Sequence, residues 1–234
     1  MAKATKGKSK KILSEASYKF LRKYINTPSP TGFESGGQKL WMDYIKPHVD
    51  EMFTDAYGSA AGIINPTEKF KVVIEAHADE ISWFVNYISD AGLIYVKRNG
   101  GVDHQIAPAK RVLIHGKKGA VKAVFGWPAI HTRMGGGERK DPQPSVENLF
   151  LDCGAKNKKE VEALGIHIGA VATYEEGYDE LAYDYIIGRA LDNRVGGFMI
   201  AEVARLLKEN KKKLPYALYV VNAVQEEIGL RGAE

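Results

Sequence analysis

The sequence predicts an α/β fold in which a mixed, largely parallel sheet with flanking helices carries an inserted small β-barrel domain. Residues 216–224 form a nearly continuous apolar run, which is typical of a strand in a sheet covered on both faces. Residues 81–173 contain short β-rich runs without intervening helices, which indicates a barrel or a sandwich. Helical and strand patterns alternate on both sides of that block, so we expect the α/β domain to resume after it.

The first part of the chain contains two predicted helices followed by three strands. Residues 12–25 carry apolar side chains at helical spacing, and the Pro-rich segment 27–32 ends that helix. A second helix is predicted over residues 34–45. The predicted strands, which Gly58 and the Asn-Pro turn after residue 64 separate, are 52–55, 60–64 and 71–76.

The middle block has a different character. Twelve of the 24 glycines fall between residues 81 and 173. Glycine-containing turns separate the apolar runs, and the predicted strands are 82–88, 93–96, 111–114 and 120–125. We therefore expect three segments: an α/β segment over 1–80 that begins with a flexible Lys-rich tail (1–11), the β-rich insert over 81–173, and a second α/β segment over 174–234.

The last segment repeats the α/β pattern. Residues 185–191 are predicted to form a strand, and residues 193–208 an amphipathic helix. Val195, Met199, Val203 and Leu206 recur along that helix at helical spacing. The apolar run 216–224 then supplies the last strand.

Composition excludes several classes of protein. The net charge of +4 comes from five lysines in the first 11 residues, because the remaining 28 basic residues nearly balance 29 acidic ones. We therefore expect no nucleic-acid partner. No run approaches the roughly 18 apolar residues of a membrane span, and the tail lacks the apolar segment of a secretory signal. One cysteine, Cys153, fits a reducing compartment, so a cytoplasmic protein is expected.

Residues that could take part in catalysis or metal binding lie at the ends of predicted strands. His77, Asp192 and the pair Glu226 and Glu227 each directly follow one. Ligands bind outside the carboxyl ends of such strands, so one crevice is expected to collect these side chains. Successive strand residues point to opposite faces, so both glutamates can share a site only if the strand gives way to a loop. Ile228 and Gly229 allow that change.

Each of these residues also has a purely structural interpretation. A lone histidine such as His77 is often hydrogen-bonded within the fold, Asp192 precedes a helix and suits an N-cap, and adjacent glutamates are often solvated. Together, however, imidazole and carboxylates are suitable ligands for zinc or a similar divalent ion. Asp79, two residues past His77, is placed to hold the second imidazole nitrogen and raise its basicity.

Four motifs follow one another along the chain: SPTGFE (29–34), EAHADE (75–80), GRALDNR (188–194) and QEEIGLRGA (225–233). With these motifs the chain resembles, from about Tyr18 to its last residue, the co-catalytic metallo-aminopeptidases that assemble into tetrahedral particles. Members of that family include glutamyl and deblocking aminopeptidases and a so-called cellulase M. Residues 148–154 and the preceding Glu138, Arg139 and Lys140 resemble the family's inserted domain.

The resemblance implies a role for each site residue. It makes Asp192 the bridge between two divalent metal ions, zinc or cobalt, with His77 a ligand of one ion and Glu227 a ligand of the other. It makes Glu226 the general base that activates a shared water. The implied reaction releases one residue from the N-terminus of a peptide, and the inserted domain is implied to pair subunits into a homo-oligomer.

The chain departs from the family pattern in one respect. The family supplies two further metal ligands, an acidic residue and a histidine, from sequence beyond the Glu-Glu motif, and no substitute is evident here. The other histidines are His48, His104, His115, His131 and His167. We therefore expect at most one metal ion per chain and no turnover from this site alone. The alternative function is that of a truncated, catalytically inactive family member retaining only its assembly domain.

Overall fold

The computed structural model describes residues 13–133 and 143–233. The Lys-rich tail and the motif residues Glu138, Arg139 and Lys140 lie outside the described residues. The first α/β segment contains α1 (Glu15–Asn26), α2 (Ser35–Ile45), β1 (Glu51–Thr54), β2 (Ala60–Ile64) and β3 (Lys71–His77). The middle block contains β4 (Ser82–Ile88), β5 (Ile94–Asn99), β6 (Arg111–Gly116), β7 (Gly119–Gly126), α3 (Ile130–Arg133), β8 (Phe150–Asp152), α4 (Lys158–Ala163) and β9 (Val171–Tyr174). The last segment contains β10 (Asp179–Glu180), β11 (Ile186–Ile187), α5 (Leu191–Glu209) and β12 (Ala217–Ala223).

The α/β part is built on a four-stranded sheet in the order β1-β2-β12-β3. Strand β12 pairs parallel to β3 and antiparallel to β2, and β1 pairs antiparallel to β2. The predicted mixed sheet is confirmed, but parallel pairing is confined to β3 and β12, so the described strands are not largely parallel. The short turn at residues 55–59 makes β1 and β2 a hairpin, and hairpin strands are antiparallel.

The middle block forms a closed six-stranded barrel in the order β4-β5-β8-β7-β6-β9. Its interior has its own apolar cluster, in which the rings of Trp83 and Phe125 lie 5.0 Å apart. Strand β4 pairs with β9 at Trp83 and Ala172, so the two ends of the block lie side by side. The barrel expected from the glycine-separated runs is therefore present.

Helices α1, α2 and α5 pack together against one face of the sheet. Their shared core includes the fully buried Trp41 and Tyr24, with Phe198 from α5 and Val220 from β12. The opposite face is partly open within the described residues, since the Val73 side chain of β3 is 58% exposed. Full cover on both faces, which the apolar run 216–224 suggested, is thus not seen in this part of the chain.

In the last segment the predicted strand is wrong, whereas the predicted helix is present as α5. The strand expected over residues 185–191 shrinks to β11, which pairs with β10 alone within residues 13–133 and 143–233. The φ angle of 58° at Ala190 ends the extended conformation before α5 begins. On α5, Met199 and Val203 are exposed, and the buried face carries Phe198, Ala201 and two arginines, Arg194 and Arg205. The arginines are buried because acidic partners compensate their charge.

Candidate functional site

The sheet brings the first two candidate residues to one edge. His77 is the last residue of β3, and it pairs in register with Ala223 at the end of β12. Glu226 follows three residues later on a short 3₁₀ turn, Glu226–Ile228. Gln225 has a φ angle of 57°, which turns the chain out of the strand direction before Glu226. Because β3 and β12 run parallel, both side chains are delivered to the same end of the sheet.

Asp79 lies at the centre of the hydrogen bonds that shape this edge. It is fully buried, and its carboxylate accepts hydrogen bonds from the backbone N–H groups of Glu226 (3.1 Å) and Glu227 (3.2 Å). The hydroxyl of Thr31 donates to it at 2.8 Å, and Nδ1 of His77 lies 3.3 Å from Asp79 Oδ1. Burial alone would raise the pKa of Asp79, but the hydrogen bonds from His77, Thr31 and the two amides outweigh it and lower the pKa.

His77 faces acidic groups on both sides of its ring. Its Nε2 lies 3.3 Å from Oδ1 of Asp192 and 3.7 Å from Oε2 of Glu226. Burial lowers the pKa of His77, but the hydrogen bond and charge of Asp79, with the charges of Glu226 and Glu227, outweigh it and raise the pKa to about 9. The carboxylates around Nε2 of His77 therefore stabilise a positive charge next to this nitrogen.

Asp192 reaches the site from α5 and not from a strand end. It lies in the first turn of that helix, where Asp192 and Asn193 have non-helical dihedral angles and the peptide bond between them is cis. The prediction that Asp192 follows a buried strand is wrong, because β11 ends at Ile187, five residues earlier. Asp192 is nevertheless beside His77, and its side chain is 91% exposed.

The two glutamates share the site because the strand has ended. One ligand atom each from His77, Glu226 and Glu227 lies within 4.8 Å of the others, and this is the one such group among the described residues. Burial raises the pKa of Glu227, which the charge of His77 opposes and the charges of Asp79, Glu226 and Asp192 reinforce. Crowded carboxylates of this kind repel one another unless a cation lies between them.

This donor set fits a divalent metal ion. It combines one imidazole nitrogen with carboxylate oxygens, the ligand types that zinc and cobalt accept. The second imidazole nitrogen is held by Asp79, as is usual for a histidine that binds metal. His115 and His167 belong to other contacts, with Thr173 Oγ1 (3.0 Å) and Ile168 O (2.8 Å).

Sequence reasoning missed two residues that support the site. Thr31 belongs to the SPTGFE motif, but nothing in its spacing connects it with Asp79, 48 positions away. Glu80 is 2% exposed and its Oε2 lies 2.8 Å from Nε of Arg189. From the sequence alone, Glu80 would be taken for a solvated residue, because the partner that it meets in the interior, Arg189, is distant in sequence.

No helix in the described part of the chain is long and apolar enough to cross a membrane.

Comparison with known proteins identifies relatives of this chain. Residues 58–234 match the family described as M42 glutamyl aminopeptidase. The chain is 33% identical to a putative aminopeptidase of Acetivibrio thermocellus over 94% of its own length and 62% of the relative's. It is 30% identical to the lysyl aminopeptidase of Pyrococcus furiosus over 92% of its length and 61% of that protein.

Solved structures resemble the whole fold. A TET aminopeptidase from a marine-sediment Thaumarchaeota archaeon superposes with a TM-score of 0.89 at 27% identity, over 94% of this chain and 62% of that one. The TET1 peptidase of Pyrococcus horikoshii, which can assemble into a tetrahedron or a large octahedral shell, superposes with a TM-score of 0.80 at 26% identity, over 93% and 63%. This chain thus spans about three fifths of the length of its relatives.

Proposed function

Because the chain belongs to the M42 glutamyl aminopeptidase family, we propose that it is a metal-dependent aminopeptidase that removes the N-terminal residue from peptides. The observation that carries the proposal is the convergence of His77, Asp192, Glu226 and Glu227 around one point, with Asp79 behind the histidine. Three separate segments of the chain supply these groups. Packing alone gives no reason to bring four ionisable side chains together.

Three residues are proposed to hold metal. His77 and Glu227 would each hold one of two divalent ions, zinc or cobalt, and Asp192 would serve as a ligand to both. Bound ions of this kind lower the pKa of a shared water and polarise the scissile carbonyl. Two ligands for each ion fall short of the three protein ligands of a usual catalytic zinc site, so the proposal requires further ligands from polypeptide outside this cluster.

Glu226 is proposed as the general base. Its Oε2 lies 3.7 Å from Nε2 of His77, so the carboxylate is next to the atoms that are proposed to hold metal. From there Glu226 accepts a proton from the attacking water and returns it to the leaving amine. Asp79 contributes by fixing the imidazole of His77 and the backbone amides of the turn that carries both glutamates. The acidic groups also suit the free α-amine of a peptide substrate.

The barrel is proposed to pair subunits into a homo-oligomer. It is a closed unit with its own core, and its exposed apolar side chains include Tyr87 (51%) and Ile168 (62%). These exposed apolar side chains are available for a contact between copies. A second function follows if the catalytic ligands stay incomplete. In that case the chain is an inactive family member that retains only assembly.

Hydrolysis of aminoacyl anilides in the presence of zinc or cobalt tests the proposal. In a form of the protein that has its full set of metal ligands and hydrolyses these substrates, we expect Glu226→Gln to retain bound metal but to lose at least about 100-fold in turnover, because an amide keeps the shape and cannot accept a proton. Glu51→Gln, an exposed glutamate of β1, is the matched control and should keep wild-type activity. A Glu226→Gln protein with more than about a tenth of wild-type turnover would rule out the general base. Metal retained by the wild type without hydrolysis would favour the inactive alternative.

A further inference from the structure

Glu80 is a buried acid that the proposed reaction does not use. Its Oε2 accepts a hydrogen bond from Nε of Arg189 at 2.8 Å, and its Oε1 accepts the backbone N–H of Ser29 at 2.7 Å. Nη1 of Arg194 lies 3.9 Å from the same Oε1. One carboxylate at the end of β3 therefore contacts the loop after α1 and both ends of the GRALDNR motif.

The two arginines flank Asp192 in the sequence. Arg189 precedes it by three residues and Arg194 follows it by two. Arg194 is fully buried, donates to the carbonyl oxygens of Tyr24 and Thr27, and lies 4.0 Å above the Tyr24 ring. Asp192 itself is largely exposed, so its own packing does little to fix it. Its position opposite His77 depends on how its neighbours in the chain are anchored.

The charges make Glu80 necessary for that anchoring. Two guanidinium groups are buried next to one carboxylate, and Nη2 of Arg189 and Nε of Arg194 have no hydrogen-bond partner within the described residues. A buried charge that loses its partner is strongly unfavourable. Without the Glu80 charge, therefore, the arginines are expected to leave their sites and to move the segment that carries Asp192.

We propose that Glu80 is a positioning residue that holds Asp192 against His77 through Arg189 and Arg194. The inference rests on the proposed function in that Asp192 is taken as a metal ligand. It adds that the metal affinity of the site depends on an ion-pair cluster outside the ligand set. Partners of this kind change metal affinity by about 10–100-fold when they are removed.

Glu80→Gln tests the proposal with Glu202→Gln as the matched control. Glu202 is an equally buried acid paired with an arginine, Arg205, but lies ten residues along α5 from Asp192, about 15 Å away. Cobalt affinity, measured by calorimetric titration of the metal-free protein below its unfolding temperature, should fall at least 10-fold in Glu80→Gln and stay unchanged in Glu202→Gln. Equal cobalt affinity in Glu80→Gln and the wild type would overturn the proposal.

Amide hydrogen exchange of residues 188–194 in the metal-free protein gives a readout that needs no metal. Exchange should accelerate at least 10-fold in Glu80→Gln and not in Glu202→Gln, and unchanged exchange would contradict positioning. If Glu80→Gln does not fold, Arg189→Gln takes its place in both measurements, with the same expected results. A wild type that binds no cobalt would refute the proposed function, while the exchange data would still decide the role of Glu80.

Discussion

Asp79 shows how a single residue organises the candidate site. Its two oxygens accept both backbone amides of the Glu226–Ile228 turn and a hydroxyl from Thr31, while the imidazole of His77 packs against them. Sequence reasoning found Asp79 through its spacing from His77, since a carboxylate two residues on commonly orients a ligand histidine. The contacts with the Glu226 turn were not predictable, because they join segments almost 150 residues apart.

Asp79→Asn is expected to weaken both the fold and the site. The amide nitrogen would face a backbone N–H donor of Glu226 or Glu227, leaving a buried donor unsatisfied at a cost of about 1–3 kcal/mol in unfolding free energy. Divalent metal affinity should fall by about 10–100-fold, because His77 loses its orienting partner. Urea denaturation and calorimetric metal titration measure the two effects.

Asp55→Asn is the control for that experiment. Asp55 also accepts backbone amides of a turn, those of Tyr57, Gly58 and Ser59, but it belongs to the β1–β2 hairpin. It should lose some stability and keep full metal affinity. If Asp79→Asn bound metal as tightly as this control, the orienting role of Asp79 would be refuted.

At the scale of elements, α5 shows where periodicity misleads. Apolar spacing selected Val195, Met199 and Val203, yet Arg194 and Arg205 are more buried than any of them. Hydrophobic patterning assumes that charged residues face water, and it fails where acidic partners such as Glu80 and Glu202 neutralise buried arginines. At Ile186 and Ile187 the error was the opposite one, because apolar side chains there predicted a longer buried strand. Local composition does not reveal that, among the described residues, this strand pairs with β10 alone.

The Glu202–Arg205 pair of α5 gives a prediction on pH and stability. Burial raises the pKa of Glu202, but hydrogen bonds from Arg205, Tyr44 and Ser17 outweigh it and lower the pKa. A lowered folded-state pKa contributes stability above the unfolded value, near 4.5, that is lost as pH falls through the folded value. Glu202→Gln should therefore cost about 2–4 kcal/mol in unfolding free energy at pH 7 and progressively less below about pH 4.5.

Urea denaturation of wild type and Glu202→Gln across this pH range measures the difference. Glu209→Gln is the control, because Glu209 contacts the same arginine from a half-exposed position. Its effect should be below about 1 kcal/mol. A Glu202→Gln penalty that stays constant down to pH 3 would show that the carboxylate charge is not the cause.

The barrel gives a prediction about autonomy. We expect a fragment of residues 81–173 to fold alone, because its ends are joined by pairing between β4 and β9 and its core is separate from that of the sheet. Circular dichroism and amide dispersion in NMR spectra check this. A fragment of residues 81–149 lacks β8 and β9, so it should stay unfolded. A disordered spectrum from the longer fragment would refute the proposed boundaries.

At the scale of the whole molecule, two segments of the α/β domain build the site together. The end of β3 and the residues after it bring His77 and Asp79, while α5 and the turn after β12 bring Asp192, Glu226 and Glu227. Most strand positions along the chain and the barrel were predictable in outline from apolar runs and glycine-rich turns. The antiparallel pairing of β2 with β12 was not, because it depends on contacts between residues more than 150 positions apart.

The count of metal ligands is the central quantitative claim for the whole molecule. The residues proposed to hold metal are one histidine and two carboxylates, which is enough for one firmly held divalent ion but not for three ligands at each of two. A second ion would also be repelled by the first at short distance. We therefore expect the 234-residue chain by itself to retain one ion at most.

Metal content after dialysis, determined on wild type and His77→Ala in the same experiment, tests the account most directly. The account predicts up to one zinc or cobalt ion per wild-type chain and none in His77→Ala. Two tightly held ions per chain would show that further ligands are present and that the ligand count is wrong. A wild type that holds metal together with a His77→Ala protein that retains as much would contradict the assignment of this site.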